Sequence, residues 1–415
     1  MNLLEFLNAS PSMYHAINNL KQLLDENGFT ELKENNHWNL EFSKKYYVIR
    51  NDASILAFIT PNNIDNLKFN IMAAHSDSPT FKLKPNFKYL KARYNMLNTE
   101  VYGGPIFSTW MDRPLDIVGR VLVKENNNII SKLISFDKPM AIIPNSPIHF
   151  YPELNTGAKL NPQVDLIPLY SLDNNLDLMD QISQKLQTKK DDILGYDLYL
   201  ATLEKSVLGG ANDEFIFSPK IDNLECSFGL IEGICKAVSN DSLNLCVIFN
   251  SEEIGSQTRE GAGSQFLAET LKRINLLLGV DEEKYQMALA SSFIISADNA
   301  QAFHPNYPQN YDPTNDCHMG DGIVLKSSAR GAYTTDGYSM AYFKDLCNKN
   351  DIKYQFTTNR SDKRGGSTLG AISLAHLSIP SVDIGLGQLA MHSSMETAAL
   401  SDFIELQKLV NAFYK

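Results

Sequence analysis

Positive charge is in deficit along this chain. Its 37 Lys and Arg stand against 48 Asp and Glu, a net charge of -11. That balance argues against a nucleic-acid partner and leaves no basic patch for a membrane surface. Long apolar runs are also missing: nothing approaches the ~18 residues of a membrane-crossing helix. The start, Met1-Asn2-Leu3-Leu4-Glu5, has no basic segment leading into an apolar one. Cysteine is scarce. Cys226, Cys235, Cys246, Cys317 and Cys347 show no CxxC pair, and their number is odd. Buried free thiols in a reducing compartment fit this usage better than a disulfide framework or a cysteine-zinc site. No internal repeat is present. The expectation is a cytoplasmic protein that binds neither nucleic acid nor membrane.

What is present is a composition of 43% hydrophobic and 20% charged residues over 415 positions, enough for a large core and two domains. Residues 3–26 have helical periodicity interrupted at Ser10-Pro11-Ser12. Strands are predicted at 46–50, 54–59 and 67–74. From about 85 to 214 the texture changes to short β-like runs punctuated by Pro and Asn, with one helix over 173–188 and Asp173 as its N-cap. Helices at 223–238, 261–278, 336–349, 367–377 and 396–414 then alternate with strands at 243–249, 292–297, 352–358 and 381–384. This pattern predicts an α/β sandwich on a mixed sheet. Residues 1–84 and 215–415 would form the catalytic domain, and 85–214 an inserted β-rich domain.

Residues able to do chemistry collect at the strand ends. His75-Ser76-Asp77 closes one strand, Glu252-Glu253 follows another, Asp298 a third and His392 the last, while Asp222 opens a helix. The carboxyl ends of strands are where open α/β sheets bind ligands. Two His and several carboxylates make an N/O set suited to zinc, cobalt or manganese. Adjacent Glu252 and Glu253 are costly to desolvate unless a cation or proton compensates. Each piece also has an ordinary reading. Asp222 serves equally well as an N-cap, His392 as a surface residue, and the Glu pair as a solvated turn. Asp77, two residues after His75, can accept its free ring N–H.

In order, Ala74-His75-Ser76-Asp77-Ser78-Pro79, Gly103 to Arg113, Phe217-Ser218-Pro219-Lys220-Ile221-Asp222-Asn223-Leu224, Asn250-Ser251-Glu252-Glu253-Ile254-Gly255-Ser256, Ser296-Ala297-Asp298, His304-Pro305-Asn306-Tyr307 and Leu389-Ala390-Met391-His392-Ser393 resemble the aspartyl aminopeptidase family of dinuclear zinc exopeptidases. The resemblance spans essentially the whole chain. It implies two divalent ions bridged by Asp222, with His75 and Asp298 on one and Glu253 and His392 on the other. It implies Glu252 as general base for an activated bridging water, and Asp77 as the partner of His75. His149 would enter a neighbouring subunit's active site, and Lys326 and Tyr333 would line the substrate pocket. It further implies peptide substrates and a homo-oligomer built from dimers, a tetrahedral dodecamer.

One position departs from the pattern. Acidic-preferring members carry a histidine three residues past the aspartate of Ser-Ala-Asp, and this chain has Gln301. Acidic and neutral N-terminal residues therefore both stand as expected substrates. Two other readings remain at this point: a non-catalytic cargo or assembly protein of the same fold, and another metallohydrolase such as a deacylase or carboxypeptidase.

Overall fold

The computed structural model describes every residue except Arg364, Ser367, Leu369, Ala371 and 373–375. Its nine-stranded mixed sheet runs in the order Thr30–Glu31, Lys45–Arg50, Ser54–Ile59, Leu243–Phe249, Phe69–His75, Phe293–Ala297, Ser381–Gly385, Ile323–Lys326, Tyr354–Thr357. The four strands Leu243–Phe249, Phe69–His75, Phe293–Ala297 and Ser381–Gly385 are mutually parallel neighbours. All four are buried along their length, which is why their sequences read as continuous apolar runs rather than alternations. Parallel pairing aligns their carboxyl ends, with Phe249 opposite His75 and Ala297 opposite Ile384.

Helices cover both faces. Leu3–Ala9, Met13–Glu26, Ile221–Lys236 and Leu400–Phe413 pack over one core that includes Phe6, Leu20, Phe228 and Leu406. Phe266–Leu277 and Glu282–Ala290 cover the other with Phe266, Leu271 and Tyr285. The expected α/β sandwich is therefore present. The first helix begins with a capping box, Asn2 accepting from Glu5 N and Glu5 from Asn2 N.

A second, antiparallel sheet of six strands lies between Thr80 and Thr202, ordered Asn128–Ser135, Leu115–Glu125, Ile193–Thr202, Thr80–Lys91, Tyr94–Tyr102, Leu169–Ser171. It has its own core around Phe81, Trp110, Ile117 and Leu198. A five-stranded sheet of short pieces, Val207–Gly209, Phe215–Ser218, Glu396–Ala399, Gly387–Leu389 and Ala300–Gln301, supports the loops around the strand ends.

Several expected boundaries move. The helix expected over 173–188 spans Leu178–Leu186, and its N-cap is Asp177, which accepts from Met179 N, rather than Asp173. The helix expected at 261–278 begins at Phe266. Residues 396–399 form a strand before the last helix, because they pair with Phe215–Ser218. Helix Glu282–Ala290 was not expected. The helix expected at 367–377 lies largely outside the described residues.

The two larger sheets meet through Arg120. It is 7% exposed and lies 4.4 Å over the Tyr14 ring. It donates to Asp197 Oδ2 at 3.0 Å, to the Asn51 carbonyl at 2.7 Å and to Asp52 Oδ2 at 3.2 Å. One guanidinium thus joins the six-stranded sheet to a turn of the main sheet and to the second helix. Removing one partner of a buried ionic cluster leaves the rest uncompensated. Arg120→Met is expected to lower unfolding free energy by roughly 3 kcal/mol in urea titration; a variant matching the wild type would show that this cluster is not a determinant of stability.

Candidate metal centre

The aligned strand ends bring five side chains together. After Leu243–Phe249 the chain turns at Ser251, with φ 65°, into the short 3-10 turn Glu252–Ile254. Asp298 directly follows Phe293–Ala297, beside His75 at the end of its own strand. Asp222 comes from another direction, in the first turn of Ile221–Lys236. There it and Asn223 depart from helical dihedrals, and the peptide between them is cis. Asp222 Oδ1 accepts no hydrogen bond from the helix or elsewhere among the described residues. His392 follows Gly387–Leu389 at φ 68°.

Two ligand-like groups result, and Asp222 is in both: His75, Asp222 and Asp298, and Asp222, Glu253 and His392. Nε2 of His75 lies 3.5 Å from Asp222 Oδ1 and 3.4 Å from Asp298 Oδ1. Nε2 of His392 lies 3.6 Å from Asp222 Oδ2 and 3.5 Å from Glu253 Oε2. Donors each ~2.0–2.1 Å from one tetrahedral ion sit about 3.3–3.4 Å apart, so these spacings fit metal ligation. Asp222 Oδ1 and Glu253 Oε1 are buried without a hydrogen-bond partner among the described residues. Orphaned buried carboxylate oxygens are unfavourable unless a cation satisfies them, and the donor set fits one.

The electrostatics agree. Burial opposes ionisation of Asp222, yet the imidazoles of His392 and His75 hold its carboxyl below the usual range. Burial, then Asp222, pushes Glu253 well above its usual range. Burial pushes Glu252 up to about 8, with His75 opposing and Asp298, Asp77 and Asp222 adding to the rise. Without a cation these carboxyls hold protons more tightly rather than carry the full negative charge, and a bound cation would take the place of those protons.

Surrounding contacts fix the donors. Nδ1 of His75 faces the Asp77 carbonyl at 3.1 Å, and Nδ1 of His392 faces the Gly104 carbonyl at 3.1 Å. A carbonyl only accepts, so Nδ1 carries a proton in both rings and Nε2 is the nitrogen that faces the centre. The Asp77 carboxylate stands farther from His75, at 3.5 Å. It is engaged instead by Tyr102 Oη at 2.8 Å and by the backbone N–H groups of Glu252 and Glu253 at 3.1 and 3.2 Å. Asp77 thus holds the Glu pair in place as well as His75. Glu396 does the same on the other side, accepting from His392 N at 2.6 Å and Asp222 N at 3.0 Å. At Gly103, with φ +70°, a Cβ would lie 3.1 Å from that of Glu253.

Sequence reasoning missed Tyr102 and Glu396. The former stands just before Gly103-Gly104. The latter is an acid within a stretch read as helix, four residues past His392.

The centre opens into a cleft of about 490 Å³ that Gln301, Lys326 and Tyr333 also line. Lys326 is 3% exposed, donates to the Asn299 carbonyl at 2.7 Å and lies 5.6 Å over the Tyr333 ring. Burial works against its charge, but Asp298, Tyr333 and Asp383 raise its pKa, so it remains cationic. His149 is not brought here. It is exposed in a turn beside Ile148 and Phe150, which are 43% and 84% exposed.

The chain matches the family described as "Aminopeptidase I zinc metalloprotease (M18)" over residues 6–414. It belongs to the M18 aminopeptidases. A "Probable M18 family aminopeptidase 2" from Clostridium novyi is 43% identical over 99% of this chain and 97% of its own. "Aspartyl aminopeptidase 1" from Schizosaccharomyces pombe is 34% identical over 100% of this chain and 94% of its own. Among solved structures, the Ape4 and Nbr1 complex superposes with TM-score 0.94 at 33% identity, over 99% of this chain and 84% of that one. A structure of the S. cerevesiae mApe1 dodecamer gives 0.86 at 25%, over 99% and 95%. The protein is accordingly a hydrolase, a zinc metalloaminopeptidase acting on peptides. Among the described residues no helix is long and apolar enough to cross a membrane.

For an M18 aminopeptidase, the contacts of Asp77 set a test. Tyr102→Phe removes one hydroxyl donor and keeps the ring. Partners that orient ligands are worth about 10–100-fold in metal affinity or activity. Zinc competition with a chelator is expected to show a loss in that range, and an unchanged affinity would remove Tyr102 from the supporting shell.

Proposed function

We propose that this chain removes the N-terminal residue from peptides with two divalent ions, zinc with cobalt or manganese as substitutes, sharing the Asp222 carboxylate. His75 and Asp298 would complete one site, and Glu253 and His392 the other. The observation that carries this reading is the splayed contact of Asp222. Oδ1 faces His75 and Oδ2 faces His392, at 3.5 and 3.6 Å. When bound, such ions polarise the scissile carbonyl and lower the pKa of a bridging water toward ~7.

Glu252 is the general base in this reading. Its carboxylate accepts no hydrogen bond among the described residues and lines the cleft, while Asp77 holds its backbone N–H. It takes the proton of the attacking water and returns it to the leaving amine. The free α-amine of the peptide binds among the carboxylates, which makes cleavage exo. Lys326 and Tyr333 receive the side chain of the first residue. The buried Lys326 cation, and a relative named for aspartyl residues, favour Asp and Glu. Gln301, a neutral amide at the same cleft, leaves neutral residues as the competing class.

We further read 1–84 with 215–415 as the catalytic domain, 85–214 as an oligomerisation insertion, and the assembly as a cytoplasmic dodecamer built from dimers. Support comes from the separate core of the six-stranded sheet, a dodecameric structural neighbour and five buried free thiols. The exposed turn carrying His149 between Ile148 and Phe150 suits insertion into a neighbouring subunit, where His149 would donate to the oxyanion.

Glu252→Gln is expected to lose at least 10³-fold in turnover while retaining two metal equivalents per chain by elemental analysis; full activity would overturn the proton role. His149→Phe is expected to sediment as the wild-type assembly yet lose about 10²-fold in turnover on peptides beginning with Asp, Glu, Leu or Lys. Unchanged turnover would exclude it from the active site.

A further inference from the structure

The strand Ser381–Gly385 is buried along its length between Phe293–Ala297 and Ile323–Lys326. Its middle residue, in the run Ser381-Val382-Asp383-Ile384-Gly385, is an acid with 0% exposure. A carboxylate inside a buried strand is unfavourable unless donors meet it there. Asp383 belongs to neither ligand group and does not line the cleft.

Its donors come from two segments that do line the cleft. Oδ2 accepts from the backbone N–H of Thr334 at 2.6 Å and from the Thr334 hydroxyl at 2.9 Å. Oδ1 accepts from the Thr368 hydroxyl at 2.8 Å. The Asp383 N–H in turn donates to Thr335 Oγ1 at 3.0 Å. Thr368 is itself a cleft residue, and Thr334 directly follows another, Tyr333. One buried side chain thus ties together two separate stretches of the cleft wall.

The stretch 327–336 has no helix or strand of its own. It runs from the end of Ile323–Lys326 to Asp336, the N-cap of the helix Gly337–Lys349. Between those anchors, the contacts of Thr334 and Thr335 with Asp383 hold it against the sheet. Tyr333 stands one residue away, with Lys326 Nζ 5.6 Å from the centre of its ring. The place of that ring over the lysine therefore depends on Asp383. Hydrogen bonds to an ionised carboxylate are about twice as strong as neutral ones, which suits a carboxylate to this task better than an amide.

We propose that Asp383 is a positioning residue for recognition of the peptide's first side chain: it holds the Tyr333 and Thr368 walls at a fixed separation, so that Lys326 and Tyr333 meet that side chain together. The inference rests on the reading that Lys326 and Tyr333 receive the first residue. Its effect falls on selection among peptides. Hydrolysis at the metal centre of a peptide with no first side chain does not draw on it.

The test compares kcat and KM of the zinc-loaded assembly on three peptides that differ only in the first residue: Glu, Leu or Gly. Glycine places nothing in the pocket. The wild type is expected to prefer Glu or Leu to Gly in kcat/KM. In Asp383→Asn that preference is expected to fall by about tenfold or more, through a higher KM, since small misplacements of a binding group are costly. Turnover of the Gly peptide and zinc content are expected to stay within about twofold. Thr334→Val removes one of the donors to Oδ2, and the same selective rise in KM is expected from it if Asp383→Asn fails to fold. A preference that both variants leave intact would overturn the proposal. So would an equal loss on all three peptides, which would make Asp383 a general anchor of the fold. A wild type that does not discriminate against Gly would instead overturn the pocket assignment of Lys326 and Tyr333, and the role of Asp383 with it.

Discussion

The strand ends of the nine-stranded sheet are arranged around carboxylates that cannot all stay ionised when buried together. Asp222, Glu253 and Asp298 converge with Glu252 and Asp77 at the carboxyl ends of parallel strands, and the imidazoles of His75 and His392 balance only part of their charge. Desolvating like charges at this density is strongly unfavourable without a counter-cation. A zinc metalloaminopeptidase supplies that cation, so binding metal and stabilising this edge of the sheet become the same event. Asp222 is the pivot. One oxygen faces each histidine, and among the described residues no hydrogen bond satisfies Oδ1.

That arrangement needs a rigid surround, and the protein builds it from backbone as much as from side chains. Two carbonyls, of Asp77 and Gly104, set which nitrogen of each histidine faces the centre. Two further carboxylates, Asp77 and Glu396, grip the backbone N–H groups of Glu252, Glu253, Asp222 and His392. Asp77 is itself held by Tyr102, which comes from the six-stranded sheet. The inserted sheet thus reaches the centre of its own chain as well as forming a separate core.

The elements most visible in the sequence were those buried on both faces. The strand Leu243–Phe249 reads as an unbroken apolar run because neighbours and helices cover it on every side. Element ends were less visible. Asp173 and Asp177 are chemically equivalent caps, and only the packing of Leu178 and Ile182 selects Asp177. Residues 396–399 look helical because the apolar period continues into the last helix, yet pairing with Phe215–Ser218 makes them a strand. That override also hid Glu396, since an acid expected on a helix surface is in fact buried between Asp222 and His392.

The sequence by itself determined which acidic and imidazole side chains stand at or just after strand ends. A parallel α/β sheet puts successive strand ends on one edge, so residues 75, 253 and 298 meet once the strands align. It also determined the membership of the family, through motifs spread along the chain. Only the tertiary structure decided which oxygen of Asp222 faces which histidine, that Asp77 spends its carboxylate on Tyr102 and the Glu252-Glu253 backbone, and that His149 lies outside its own chain's cleft. Those outcomes depend on the directions of side chains and on partners far away in sequence. Distances of 3.4 to 3.6 Å are fixed by packing between elements, and no local pattern of residues encodes them.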